Sequence, residues 1–449
     1  MPTPLRNSTT ARFTLLTILL AVTLPAHAAT SYLITDLGRL NANDQFSQAF
    51  GINSYGQVAG FSLDVNAIPH TFLWTPTTSH GLTGTMIDLG LCTSGIGGGF
   101  KLNDYGQVQF NRGTITPSFG TQSHAFLWTP TSPNGTNGSA TDLLTLNGAD
   151  GASYGYGINN AGAVVGSSYP GQCFIWAPSS PHATTGVMTS FGNSSSSGVA
   201  FAVNDASQVA GSIGVGFYGY PLRHAGSGAY ATNDVIGPGP SGQTQDYSGT
   251  GYAINAVGHV AGEAVFPGAG IRPFLFTGGG NLIDFAPAGG GGHAYGINNA
   301  DQVVGTYNST TFLYSNGTNY NLANLIDPSA GWSQLTAAYA INQSGQIAGV
   351  GARNGVLTSF LMTPVQLVFR ITAITVEGNN IRLTWQTLGG TTNQVQVVNG
   401  AAGGGFTNNF SNLSPSLVIT TPGLSSTNYL DVGGATNPST RYYRIGLSQ

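Results

Sequence analysis

Hydrophobic and polar positions in this chain follow a short rhythm that returns at long range. In "AFGINSYGQVAG" (49–60), small apolar and β-branched residues flank a polar turn, and the arrangement comes back as "FKLNDYGQV", "GINNAGAVVG", "AVNDASQVAG", "AINAVGHVAG", "GINNADQVVG" and "AINQSGQIAG". Anchored on the turn asparagine, the repeats fall at Asn53, Asn103, Asn159, Asn204, Asn255, Asn298 and Asn342, with spacings of 50, 56, 45, 51, 43 and 44. Periods of this size belong to repeat architectures such as four-stranded propeller blades. Each repeat supplies a first strand ("AFGI") and a second ("QVAG"). A third follows ("HTFLW", "HAFLW", "CFIW", "FLF", "FLY", "FLM"), then a fourth ("MIDLG", "ATDLL", "LIDF"). Turn residues fill the joins, and no 3.6-residue periodicity is sustained after residue 28.

The hairpin turn reads as Asn-x-x-Gly, with Gly56, Gly106, Gly162, Gly258 and Gly345 in the fourth position. The asparagine side chain can bond its own downstream backbone, and glycine tolerates positive φ. Ser207 and Asp301 replace the glycine in two repeats, so the same backbone is expected there with less comfort for Ser207. Residue size orders the strands: small residues in the hairpin are expected near a crowded axis, and Phe, Leu and Trp of the third strand further out. "YLITDLG" (32–38) is a fourth strand with no repeat before it, and the seventh repeat has none behind its "SFLM". The N-terminal strand can therefore complete the last sheet and remove two exposed edges. The expectation is an all-β chain: a seven-bladed β-propeller over 29–364, closed by its N-terminal strand.

These residues resemble the HAF-repeat proteins, a bacterial group of extracellular repeat proteins. The resemblance rests on His124-Ala125-Phe126, the variant His70-Thr71-Phe72 and the Ile-Asn-x-x-Gly-Gln-Val hairpin, over about three quarters of the chain. It implies a secreted repeat protein and little more. Residues 365–449 leave the repeat and carry strands at short spacing, including "IRLTW" with Trp385 and "RYYRI". They suit a small β-sandwich and resemble a fibronectin type III-like domain.

Residues 1–28 are expected to be a secretory signal. Arg6 and Arg12 precede an apolar stretch (13–25) and the small-x-small site Ala26-His27-Ala28, so the mature chain would start at Ala29, in the periplasm or outside the cell. No later stretch is apolar enough to anchor the chain in a bilayer. Charged residues make up 6% of the chain, against about 25% in average proteins. With Lys101 the only lysine, the clustered cations that nucleic-acid binding needs are missing, which excludes that class. Cys92 and Cys173 sit in the first and third repeats, which a ring would hold apart. They are either a mutual bridge or two small buried residues.

Candidate chemistry is sparse, and no cofactor is implied. "GASYG" (151–155) matches a nucleophile pattern around Ser153, and "GVGFYG" (214–219) a dinucleotide fingerprint, but neither precedes a helix. Glu263 and Glu377 are the only glutamates and lie in different domains, against the paired carboxylates of a glycosidase. Asp36, Asp88, Asp142 and Asp284 recur at equivalent places, which suggests capping, and His70 and His124 suggest strand anchors rather than metal ligands. Asp142, Asn147 and Asp150 offer oxygen ligands without the spacing of an EF-hand loop.

Any ligand would meet the second-to-third and fourth-to-first connections, which share one face. They carry Arg112, Phe217, Tyr218, Tyr220, Asp246, Tyr247, Arg272, Trp332 and Arg353, plausible anchors for a glycan or protein partner or covers for the blade ends. The leading reading is a monomeric, non-enzymatic binding module. A polysaccharide hydrolase or lyase using that face, and a purely structural envelope protein, are its rivals.

Overall fold

The computed structural model describes residues 31–449 apart from 94–98, 119, 192–197, 216–217, 226–233, 238–247, 267, 279–281, 287–289, 366–370, 389–391, 401–408, 420–423, 437–440 and 448–449. The expected signal at 1–28 therefore lies outside the described residues. The chain divides into two compact units, Thr30–Val365 and the C-terminal Gln366–Gln449. Among the described residues both are built of antiparallel strands, and no α-helix occurs.

Among the described residues the first unit contains seven small sheets, one per repeat, and six of them run as simple meanders. The first sheet shows the pattern: Phe46–Ile52, Val58–Leu63, Pro69–Pro76 and Gly84–Leu91 follow in spatial order. The sheet of the fourth repeat has three strands, with Val235 bridging Leu222 where a fourth would lie. In the last sheet Tyr32–Gly38 pairs antiparallel with Val356–Pro364, Tyr32 opposite Pro364 and Asp36 opposite Phe360. The N-terminal strand thus completes the seventh repeat. Third strands such as "TFLW" are buried at successive residues because both faces are covered, unlike a half-solvated strand that alternates.

The turn asparagines do more than turn the chain. Each Oδ1 accepts the backbone N–H four residues on, as in Asn53 from Gln57 at 2.9 Å, and closes the hairpin. Each Nδ2 donates to the backbone carbonyl of the next repeat's asparagine at 2.9–3.2 Å, from Asn53 through to Asn298. Asn342 then donates to the carbonyl of Asn53 at 3.0 Å, so the chain of amides returns to its start. The fourth turn position has positive φ in every repeat, with Ser207 at 61° and Asp301 at 56° in the same region as the glycines.

A second rule governs the strands beside the turn. In six of the seven repeats the first strand carries a β-bulge, three residues before the asparagine in all six, and the last of them has two further irregularities, between Trp332 and Gln334 and between Leu335 and Ala337. The opposing residue of the second strand is glycine (Gly60, Gly166, Gly211, Gly262, Gly305, Gly349), where a Cβ would collide with a first-strand carbonyl. The second repeat has Phe110 there, its first strand shrinks to Lys101–Leu102, and Phe100 takes φ of 65°.

Third and fourth strands are stapled by the histidine and aspartate that recur. His70 Nδ1 lies 2.9 Å from Asp88 Oδ2, and His124 Nδ1 2.8 Å from Asp142 Oδ2. Arg272 meets Asp284 in the fifth repeat, and Thr358 donates to Asp36 in the seventh. The same aspartates accept the backbone N–H two residues on, so strand anchor and turn cap are one device. Cys92 and Cys173 are free and buried in separate apolar clusters, and burial pushes both thiols up to about 12.

In the second unit, Ile371–Glu377, Asn380–Leu388 and Leu424–Asp431 form one sheet. Thr392–Asn399 pairs with Arg441–Leu447 in another, flanked by two short strands. One core of Leu383, Trp385 and Val395 serves both, and the Trp385 indole N–H donates to Asn393 Oδ1 at 2.9 Å.

Candidate functional site

The described loop residues expected to meet a ligand are engaged in local contacts, and Trp332 and Arg353 stand opposite each other in one sheet. Tyr220 is buried in an apolar cluster with Cys173 and Phe191, so the core takes up its ring. Trp332 stands edge-on to Phe360, 5.8 Å between centroids, and packs on the core of the seventh sheet. The Arg353 guanidinium lies 3.1 Å from Asp36 and ties down the N-terminal strand. Arg112 is exposed and lies over the Phe126 ring at 5.7 Å. Arg272 is buried, 2.7 Å from Asp284 and donating to the Ala286 carbonyl, so its charge is already met. It borders an open depression of about 780 Å³ whose walls are mostly glycine and alanine. Phe217, Asp246 and Tyr247 lie outside the described residues, as does the side chain of Tyr218.

A different set does converge, and it sits on the first strands. The residue three before each turn asparagine is aromatic in all seven repeats: Phe50, Phe100, Tyr156, Phe201, Tyr252, Tyr295 and Tyr339. In six repeats this is the extra residue of the bulge, which re-aims its side chain. Rings of successive repeats touch. Tyr156–Phe201, Phe201–Tyr252, Tyr252–Tyr295 and Tyr295–Tyr339 have centroids 5.0–5.6 Å apart. Tyr339–Phe50 at 4.5 Å joins the last repeat to the first, and Phe50–Phe100 follows at 5.6 Å. To the small residues expected on the hairpin strands, each first strand adds one ring. The small residues are those that face neighbouring backbone; the bulge releases one ring per repeat from that crowding.

The tier has two chemically different sides. Phe50 and Phe100 pack with Phe61 in an apolar cluster. Tyr156, Tyr252 and Tyr295 instead pair their hydroxyls with Ser167, Glu263 and Thr306, which hold the same second-strand place as Phe61. Burial raises these phenols above their ordinary value, and the Glu263 carboxylate pushes Tyr252 further. Burial, with a smaller push from Tyr295, raises the Tyr339 phenol to about 12. His293 Nδ1 is hydrogen-bonded to Glu263 Oε2, and its ring stacks on Tyr295 at 15°. Glu263 also lines a shallow depression of about 210 Å³ with Ser212, Ser248 and Thr250.

Lys101 stands beside Phe100, and its ammonium donates to the Phe50 carbonyl at 2.8 Å. No carboxylate pairs with it among the described residues. Burial draws it down to about 8. In a chain with so few charges, the single lysine and the only glutamate of the first unit both belong to this tier.

The remaining motifs are structural. Ser153 is buried, donating to the Leu144 carbonyl at 2.6 Å and accepting from the Ala125 N–H, while the nearby His124 imidazole is taken up by Asp142 and the Gly151 carbonyl. Asp150 caps Ser118, and no group of three or more metal-ligating side chains occurs among the described residues. The tier was within reach of the sequence, since aligning the repeats on their asparagines stacks the seven aromatics in one column. The Glu263–His293 pair was not, because it joins two repeats at unrelated positions. No family model matches the chain, and no curated protein matches it.

Proposed function

We propose that the chain is an exported seven-bladed β-propeller of the HAF-repeat type with a fibronectin type III-like module behind it, and that it is a non-enzymatic binding module for glycans. The circuit of asparagine bonds and the N-terminal strand paired into the last sheet support the closed ring. The observation that carries the function is the aromatic tier. Sugar rings offer apolar faces edged with hydroxyls, and the tier offers rings edged with phenols, Glu263 and His293. The uncharged, polar surface suits a neutral or weakly charged ligand better than a strongly charged one.

The test is a glycan array probed with the full mature chain and with Tyr252→Ala and Tyr339→Ala. Binding to a defined set of glycans should fall at least about tenfold in either variant, the scale of one lost aromatic anchor. Array binding that both variants keep places the ligand elsewhere. A second reading, polysaccharide cleavage, draws on Glu263–His293, which could move a proton. New reducing ends from an offered polysaccharide, abolished by Glu263→Gln, would establish it in place of simple binding.

A further inference from the structure

We propose that the depression beside Glu263 takes an amino sugar of a glycan, one with a free ammonium group, and that Glu263 reads that charge. The inference rests on the glycan-binding reading and adds the sugar class. The fold does not ask for an acid here: Phe61, Asn111, Ser167, Ser212, Thr306 and Val350 hold the same second-strand place in the other repeats. Aspartates such as Asp88, Asp142 and Asp284 each accept a backbone N–H and hold a turn. Glu263 instead meets two side chains, the Tyr252 hydroxyl and the His293 imidazole. No arginine or lysine pairs with it among the described residues. A carboxylate only 17% exposed is costly without a cation, and a ligand ammonium would supply one through charge-assisted hydrogen bonds. The place is open to such a ligand. Glu263 lines the depression of about 210 Å³ together with the hydroxyl-bearing Ser212, Ser248 and Thr250. Ile271, 47% exposed, gives the same depression an apolar wall. The Tyr252 hydroxyl also bonds Thr250, so this phenol links the depression to the tier. A sugar ring brings an apolar face for Ile271 and hydroxyls for the serines and the threonine. A simple amine leaves those walls unmet, and a neutral sugar leaves the charge unmet. The field of the unit agrees in sign, since Thr30–Val365 carries fourteen acidic side chains against six arginines and lysines.

The experiment uses the full mature chain and two sets of dimers, built on glucose and on galactose, each as the free amine, the N-acetyl amide and the plain hydroxyl form. The three forms share their rings and differ in one group on each. Affinities are measured by calorimetry at about pH 7, where most sugar amines carry a proton, for the wild type, Glu263→Gln and Ile271→Ser. At least one amine should bind about tenfold tighter than its amide and hydroxyl forms, the scale of one hydrogen bond to a charged group. Glu263→Gln should bring that amine to the level of the other two, and Ile271→Ser should weaken all three. An amine that binds no tighter, or a preference that survives in Glu263→Gln, overturns the role of Glu263 and leaves glycan binding standing. Affinities that Ile271→Ser leaves unchanged overturn the depression as the place of binding. If no dimer binds while other glycans bind on the array, the amino sugar is overturned alone. If nothing binds in either assay, both readings fall. Unfolding curves of the two variants, matched to the wild type, guard against loss through misfolding.

Discussion

At the scale of single residues, amide and ammonium groups in this chain are placed by what they must satisfy. Each turn asparagine uses both ends of its amide, one to close its own hairpin and one to reach the next repeat, which an aspartate or a glycine could not do together. Lys101 is the opposite case, a donor with more capacity than the described partners use. Burial lowers it from 10.5 to about 8, so the fold releases this proton before the unfolded chain does. Between those values the unfolded chain holds more protons, and stability should rise with pH. The buried thiols and phenols act the other way, because their raised values make stability fall above their ordinary ranges. Both proteins share those groups, so the wild type minus Lys101→Met isolates the lysine. That difference, from urea unfolding at pH 7 to 10, should move in favour of the wild type by on the order of 2 kcal/mol. A flat difference would mean the ammonium is as well solvated folded as unfolded.

At the scale of strands, bulge, glycine and aromatic are one unit. The bulge turns a ring out of the ladder, and the glycine opposite makes room for the bulged backbone. Gly60→Ala should therefore cost about 2–4 kcal/mol by denaturant unfolding, because the ladder itself must shift. Gly219→Ala is the control: it lies in a strand with open space around its Cβ position and should stay within about 0.5 kcal/mol of neutral. Equal costs at the two positions would remove the steric reason for the glycine. The four-strand rhythm and the His–Asp pairing positions were legible in the sequence because they recur in phase, as in "HTFLW" with "MIDLG". The aromatic column recurs in phase too, but residue size alone assigned these strands to a crowded interior. A bulge changes which way one side chain points without changing the composition of the strand. For Tyr220 and Trp332 residue type left ligand anchor and blade-end cover both open, and only packing shows their rings lying on apolar clusters.

At the scale of the whole molecule, the question is how the seventh sheet is finished. Tyr32–Gly38 supplies its outer strand, Asp36 receives Thr358 and Arg353, and Val365 donates to the Ser31 carbonyl. "YLITDLG" announced this pairing as a fourth strand without a repeat of its own. Without it, Val356–Pro364 becomes an open edge with unpaired backbone groups, the kind of edge that pairs with another chain. A variant lacking residues 29–38 should lose several degrees in its thermal midpoint and elute as dimers or larger species in size-exclusion chromatography with light scattering. A rearranged chain that begins at residue 40 and carries 31–38 by a short Gly-Ser linker after residue 365 restores the strand from the other end. It should recover the wild-type midpoint and elution, because the ladder depends on the strand being present and not on where the chain begins. A deletion variant as stable and monomeric as the wild type would show that the sheet needs no such closure. A deletion variant that fails together with the rearranged chain would place the defect in the connection from residue 38 to the first sheet, where Gly38 accepts from Ser47.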